Sequence, residues 1–408
     1  MTSRERVKKT INHEIPDRIP IDVGGTKVTG INAFEYIRIA NHIGIDVLPP
    51  KVYEQFQMLA RVDAPIMNWF HSDVVQVENL SESWGYKNKD WKIWTPSMNQ
   101  DLLVPGTFNP EMDKDGNHIL KDEEGKEFAK MPPNGHYFDR IEELSMSLEI
   151  KKTDINEFKK TMKYYSTEEL KSIRNNAKFL HENTDYSVHG GFLKGKMGSS
   201  SVYAGHSFTD WMCILLTEPD YAYELLNVSS DATVKNLELY LEAVDGYVDT
   251  ILLSTTDFGS QKSEMFNPKI FRDIYMPNYK KMCDYVHSNS NIKTMLHSCG
   301  SIRNIIPYFI EAGVDILNPL QVNTNNMDPK ELKDEFGDKL VFWGGGVNTQ
   351  DVLPFGTPKD VENQVRERME ILGENGGFVF STIHNIQDGI PMENLECMIN
   401  TVLEYGKY

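Results

Sequence analysis

Eight short runs rich in β-branched residues recur along this chain, and the later ones alternate with well-marked helices. The runs are residues 18–23, 73–78, 186–189, 250–254, 292–296, 314–318, 339–343 and 377–381. Asn267-Pro268 opens a helix that runs to about residue 288, Asp328-Pro329 opens a short one, and Thr357-Pro358 opens one that continues through VENQVRERMEIL. In each case a capping side chain precedes a proline at the first helical position, where the missing N–H costs nothing. Gly373 and Gly376-Gly377 end the last of these helices, and Thr2-Ser3-Arg4-Glu5 reads as a further helix cap at the start. Strands and helices that alternate in this way build an α/β fold on a parallel sheet, and eight repeats match a (β/α)8 TIM barrel. A length of 408 residues admits two or three domains, but barrels of this kind run long as one. The expectation is a single barrel domain over residues 1–408.

Residues 82–139 break the alternation. They hold Trp84, Trp91 and Trp94 and show no helical period. Within them, Asp113, Asp115 and Glu124 imitate a calcium loop, but such a loop needs glycine at its sixth position and His118 stands there. A β-hairpin turning at Asp115-Gly116 is the expected structure. The whole segment reads as an aromatic-rich insertion, either a lid over the barrel mouth or a surface decoration.

Composition narrows the partners. The net charge is -18, with a sequence pI near 5.1. Such a surface repels phosphate backbones and anionic lipid, so neither nucleic acid nor a membrane is an expected partner. No apolar run reaches the roughly 18–20 residues of a membrane span. The N-terminal MTSRERVKKTINHEIPDR is charged and lacks the apolar core of a signal peptide. The four cysteines, Cys213, Cys283, Cys299 and Cys397, lie far apart, which suits reduced thiols in a cytoplasm. Cys213, Cys283 and Cys397 sit in helical patterns and read as core thiols.

In a barrel of this type, chemistry gathers in the loops after the C-terminal ends of the strands. Those loops read Gly24-Gly25-Thr26, His189-Gly190-Gly191, Thr255-Thr256-Asp257, His297-Ser298-Cys299-Gly300, Asn318-Pro319-Leu320-Gln321, Gly344-Gly345-Gly346-Val347-Asn348 and Thr382-Ile383-His384-Asn385. His297 and Cys299 are two apart, so on a strand their side chains share a face. Thiolate sulfur with imidazole nitrogen suits zinc, and three protein ligands with one open position is the catalytic pattern. His384 is the best third ligand, and it doubles as a catalytic candidate. The plain alternative is a buried cysteine beside a histidine bonded to backbone. Asp257 reads as a catalytic acid/base, a metal ligand, a substrate anchor or a turn cap. His189, Gln261, Gln321, Asn348 and Asn385 are substrate-binding candidates, with solvated-loop or turn roles as the alternative. The glycine run GGGVN can cradle an anion or simply turn.

These stretches carry a resemblance. MTSRERVKKTINHEIPDRIPID, TTDFGSQKSEMFNPKIFRDIYMPNYKK, LHSCGSIRNIIPYFIEAGVDILNP, VFWGGGVNTQDVLPFGTPKDV and GGFVFSTIHNIQDGIPMENL resemble the uroporphyrinogen decarboxylase superfamily over nearly the full chain. That resemblance implies the same (β/α)8 barrel. One branch of the superfamily decarboxylates uroporphyrinogen without a cofactor and carries Arg-Gln-Ala-Gly-Arg after its first strand. Here that place reads Asp22-Val23-Gly24-Gly25-Thr26, without arginine. The other branch consists of zinc methyltransferases that work with corrinoid (cobalamin) proteins and bind zinc through His-x-Cys and a later cysteine. His297 and Cys299 match the pair. His384 stands where the later cysteine would be, a departure from thiol-handling members that is compatible with relatives acting on methoxylated aromatics or methylated amines.

The resemblance thus implies a cytoplasmic methyltransferase with zinc as Lewis acid. It would move a methyl group between a small methyl donor or acceptor and a corrinoid protein. Homodimerisation stays open. The alternatives are a cofactor-independent decarboxylase of a tetrapyrrole or other carboxylate, and a non-catalytic ligand-binding barrel.

Overall fold

The computed structural model describes residues 1–45, 49–96, 100–141, 150–195, 197, 203–244 and 246–408. Seven parallel strands form one curled sheet, in the spatial order Phe378–Val379, Val341–Trp343, Ile316–Asn318, Lys293–His297, Thr250–Ser254, Ser187–Phe192 and Val74–Gln76. Neighbours in the sheet are neighbours in the strand sequence, as helical crossovers between parallel strands require. Each strand falls within one of the runs read from sequence or overlaps it by several residues.

The first run, 18–23, is the exception. It is no regular strand and holds only the isolated bridges of Arg18 to Lys407 and Ile21 to Phe380. Pro20 supplies the reason, since it has no N–H to give a ladder. The segment nonetheless lies between the two edges of the sheet. Asp22 N donates to Phe380 O and Phe380 N to Pro20 O on one side, and Asp73 N donates to Ile21 O on the other. The architecture is therefore α/β and TIM-barrel-like.

Val74, Leu252, Met295, Ile316, Val341, Trp343 and Val379 pack into one inner cluster with Val7 and Ile11 of the helix Ser3–Ile11 and with Val28 from the loop after residues 18–23. The wider core wraps the outside of the sheet, where Pro219–Val244, Met276–Asn289, Pro358–Leu372 and Met392–Tyr405 bury one face each. The caps form as the sequence predicts. Thr2 with Glu5 and Thr357 with Asp360 make reciprocal capping boxes, while Asn267 and Asp328 accept from Lys269 N and Glu331 N. The helix opened by Asn267-Pro268 continues to Asn289 through one wider turn at Phe271–Tyr275.

Among the described part of residues 82–139 (97–99 lie outside it), the chain is antiparallel. Lys92–Trp94 pairs with Leu102–Val104, and a four-stranded sheet runs from Glu111–Met112 to Asp139–Arg140. The turn at Asp115-Gly116 is present, with Gly116 at φ 82° and the Asp113 carboxylate accepting from the N–H groups of Asp115 and Asn117. Trp84 packs edge-on against Phe56, Phe128 and Phe138, and Trp94 against Phe108 and His118. Bonds from outside hold this region, among them Asn32 Nδ2 donating to His136 O and Phe138 N donating to Phe56 O. No helix among the described residues is long and apolar enough to cross a membrane.

Candidate metal centre

Three of the strand-end side chains converge. The ligating atoms of His297, Cys299 and His384 all lie within 4.8 Å of one another. His297 closes the strand Lys293–His297, whereas Cys299 lies beyond it in the loop. Cys299 Sγ is 3.4 Å from His297 Nε2, and the His297 and His384 rings stand 6.2 Å apart between centroids. Among the described residues this is the one group of three or more His, Cys, Asp or Glu side chains able to hold a metal ion.

The loop that carries Cys299 is held at every backbone amide from Ser298 to Ser301. Ser298 N donates to Asn318 O at 2.8 Å and Ser301 N to Ser260 O at 2.8 Å. Cys299 N donates to Asp257 Oδ1 and Gly300 N to Gln321 Oε1, each at 2.7 Å. Gly300 sits at φ 92°, and a Cβ there would lie 2.3 Å from the Gly259 carbonyl carbon. Glycine is needed twice, for the left-handed turn and for this backbone crossing. Asp257 Oδ1 also stands 3.9 Å from His297 Nε2.

His297 is buried, and its Nδ1 lies 2.6 Å from Asn318 Oδ1. Asn318 in turn donates through Nδ2 to the Trp343 carbonyl at 2.8 Å. Burial, reinforced by the neighbouring His297, holds the His384 imidazole down to about 4, so at neutral pH it is uncharged and offers a lone pair. Burial, together with the Asp257 carboxylate, pushes the Cys299 thiol well up. A cation bound beside the thiol would oppose that upward push.

The other sequence candidates fall elsewhere or serve other ends. His189 is fully buried; its Nδ1 meets Thr250 Oγ1 at 2.7 Å, its Nε2 has no partner, and burial holds it down to about 3. Gln321 is buried and holds the Cys299 loop through Gly300. Asn385 is buried between Gly30 N and Gln57, and so orients the loop after His384. Asn348 caps its own turn, accepting from Gln350 N and Asp351 N. Gln261 is exposed, and its backbone carbonyl takes the Asn325 N–H. In the glycine run, Gly344 N and Gly346 N are bonded to Val379 O and Ser381 O, so they are not open to an anion. Of the other cysteines only Cys283 is a core thiol. Cys213 is exposed and Cys397 is half-buried, because each lies toward the outer face of its helix.

Sequence reasoning missed Asn318. It also missed Asp22, which is fully buried and accepts from Gly25 N, Thr29 Oγ1 and Trp343 Nε1. Burial pushes its carboxyl up to about 7.

The family model described as uroporphyrinogen decarboxylase (URO-D) matches residues 148–405. A methylated-thiol–coenzyme M methyltransferase of Methanosarcina mazei is 21% identical over 188 residues, 46% of this chain and 46% of that protein. The chain therefore spans a little under half the length of that curated relative. A solved methyltransferase from Methanosarcina mazei shares the fold with a TM-score of 0.57 at 16% identity, covering 99% of both chains. With the family model covering well over half of the residues, the chain belongs to the uroporphyrinogen decarboxylase family.

Proposed function

We propose that this chain is a zinc-dependent methyltransferase. It moves a methyl group between a small methylated substrate (a methoxylated aromatic, methylated amine or thiol) and a corrinoid held by a partner protein. The activity would sit in the cytoplasm, in one (β/α)8 domain over residues 1–408 that carries 82–139 as an insertion. The observation that carries this reading is the meeting of His297, Cys299 and His384 at strand ends in a chain similar to proteins named methyltransferases.

The donor set fits zinc. With Zn–N near 2.0–2.1 Å and Zn–S near 2.3 Å, a tetrahedral site separates its ligand atoms by about 3.3–3.6 Å. The 3.4 Å between Cys299 Sγ and His297 Nε2 is already in that range, and the bound of 4.8 Å on the set leaves His384 a short approach. Zinc bound there supplies Lewis acidity, making a bound heteroatom a better leaving group or lowering the pKa of an accepting thiol.

The chain's own residues do the rest. Asp257 and Gln321 fix the Cys299 loop through its amides. His384 enters neutral, so it gives up no proton on ligation. His189 Nε2, buried and without a hydrogen-bond partner, is proposed as a further contact for substrate.

Elemental analysis of protein produced with zinc is expected to give about one zinc per chain, and much less for Cys299→Ser. A metal content untouched by that substitution would sink the site. Incubation with candidate substrates and reduced corrinoid is expected to give methyl-cobalt absorbance, whereas equal turnover without corrinoid refutes the activity.

A further inference from the structure

We infer that Asn318 is a positioning residue that decides which nitrogen of His297 is free to ligate. The Trp343 backbone carbonyl can only accept, so the Asn318 atom 2.8 Å from it is the NH2. The amide oxygen must then face His297 Nδ1, 2.6 Å away. An amide oxygen can only accept, so Nδ1 carries the proton. A neutral imidazole has one N–H, which leaves the lone pair on Nε2, the atom turned toward Cys299 Sγ.

Flipping the amide would set its oxygen against the Trp343 carbonyl oxygen, so the assignment is locked from that side. Strand register puts the three groups in reach, with His297 paired to Asn318 on the adjacent strand and Trp343 on the strand after it. Asn318 is 1% exposed, so water does not compete for either bond. Outer partners of this kind fix the tautomer and orientation of metal-binding histidines.

The test has two arms. The affinity arm rests on the zinc reading proposed above, and the tautomer arm does not. Long-range 1H–15N spectra of metal-free, 15N-histidine-labelled protein at about pH 8, above the ordinary histidine range, report the tautomer. The His297 signals are identified by their loss in His297→Gln. Wild type is expected to show Nδ1–H. Asn318→Leu is expected to lose that bias, and to weaken zinc binding about 10–100-fold in competition with a chromophoric chelator. Asn318→Asp keeps an acceptor for Nδ1–H while giving up the bond to Trp343. It is expected to retain the tautomer; a merely structural asparagine would leave Asp as impaired as Leu.

An Nε2–H tautomer in wild type overturns the inference, as does Asn318→Leu with unchanged tautomer and affinity. If wild type binds no zinc, the proposed function falls while the spectra still decide the role of Asn318. If the leucine variant does not fold, wild type and Asn318→Asp decide it.

Discussion

Asp73 offers the sharpest test of how residues 18–21 are held between the two edges of the sheet. It lies just before the strand Val74–Gln76, at the opposite end of the sheet from His297. Its carboxylate is fully buried and takes five hydrogen bonds. Oδ1 accepts from Ser3 Oγ at 2.7 Å, Arg6 Nη1 at 2.7 Å and Arg18 Nη2 at 3.1 Å. Oδ2 accepts from Arg18 Nη1 and Ile21 N, both at 2.8 Å. One side chain thus ties the N-terminal helix and residues 18–21 to the edge of the sheet.

Asp73→Asn keeps the volume but leaves one oxygen for five donors, and turns an NH2 onto the rest. Removing one partner of a buried pair costs about 3–5 kcal/mol, because the remaining charge is left uncompensated. Arg6 is partly protected, since it keeps two bonds to Asp17 at 2.7 and 2.8 Å. Arg18 has only backbone carbonyls to fall back on. With unfolding entropy near 2.1 cal/mol/K per residue, a chain of this size has roughly 0.9 kcal/mol/K, so the melting temperature is expected to fall by roughly 3–6 °C. Scanning calorimetry reads the shift, and metal content serves as the control, because the centre lies at the other end of the sheet. A melt unchanged to within about 1 °C would refute the closure argument, and an equal loss of metal would show that the two ends are not independent.

Three further outcomes follow. Asp257→Asn keeps an acceptor for Cys299 N but removes the charge, so the melt is expected to hold while methyl transfer drops about 10–100-fold; full turnover strikes Asp257 from the site. Burial holds His189 down to about 3, against about 6.5 unfolded, so the unfolded chain binds the extra proton between these values and stability falls as pH drops through that window. His189→Gln is expected to narrow the gap between melts at about pH 7 and pH 4.5, and a gap as wide as in wild type contradicts it. Gly300→Ala would force a Cβ to 2.3 Å from the Gly259 carbonyl carbon at φ 92°, so the Cys299 loop should shift and zinc content fall; wild-type metal content with an unshifted melt rules this out.

Much of the frame was legible because it rests on local chemistry. The Thr357/Asp360 box and the Asn267-Pro268 and Asp328-Pro329 starts need only neighbours in sequence. The His297/Cys299 pair was legible from its spacing, even though Cys299 lies past the end of its strand. What stayed hidden depends on register between strands. Asn318 is 21 residues from His297, and only the pairing of two parallel strands brings them together. Gln321 looked like a substrate contact because a loop amide at a strand end suits either role; the structure uses it to hold Gly300. Residues 18–23 have the composition of a strand, but Pro20 cannot join a ladder, so they close the sheet through isolated bonds instead.

The ligand set bears on which methyl group the proposed enzyme would move. Two neutral imidazoles and one thiolate leave a bound Zn2+ with a net charge of about +1, whereas one imidazole and two thiolates leave it near zero. A more positive centre draws harder on the lone pair of a bound heteroatom, which helps a poor leaving group such as an ether oxygen or an amine nitrogen to depart. An accepting thiol needs the reverse, because it must lose its proton yet remain nucleophilic, and an electron-rich centre serves that better. In the proposed zinc reading, His384 as a ligand in place of a second thiolate would favour taking methyl groups from ethers or amines over giving them to thiols. Partial burial would sharpen this preference, because the surroundings that hold the His384 imidazole down would also leave a cation bound there poorly screened.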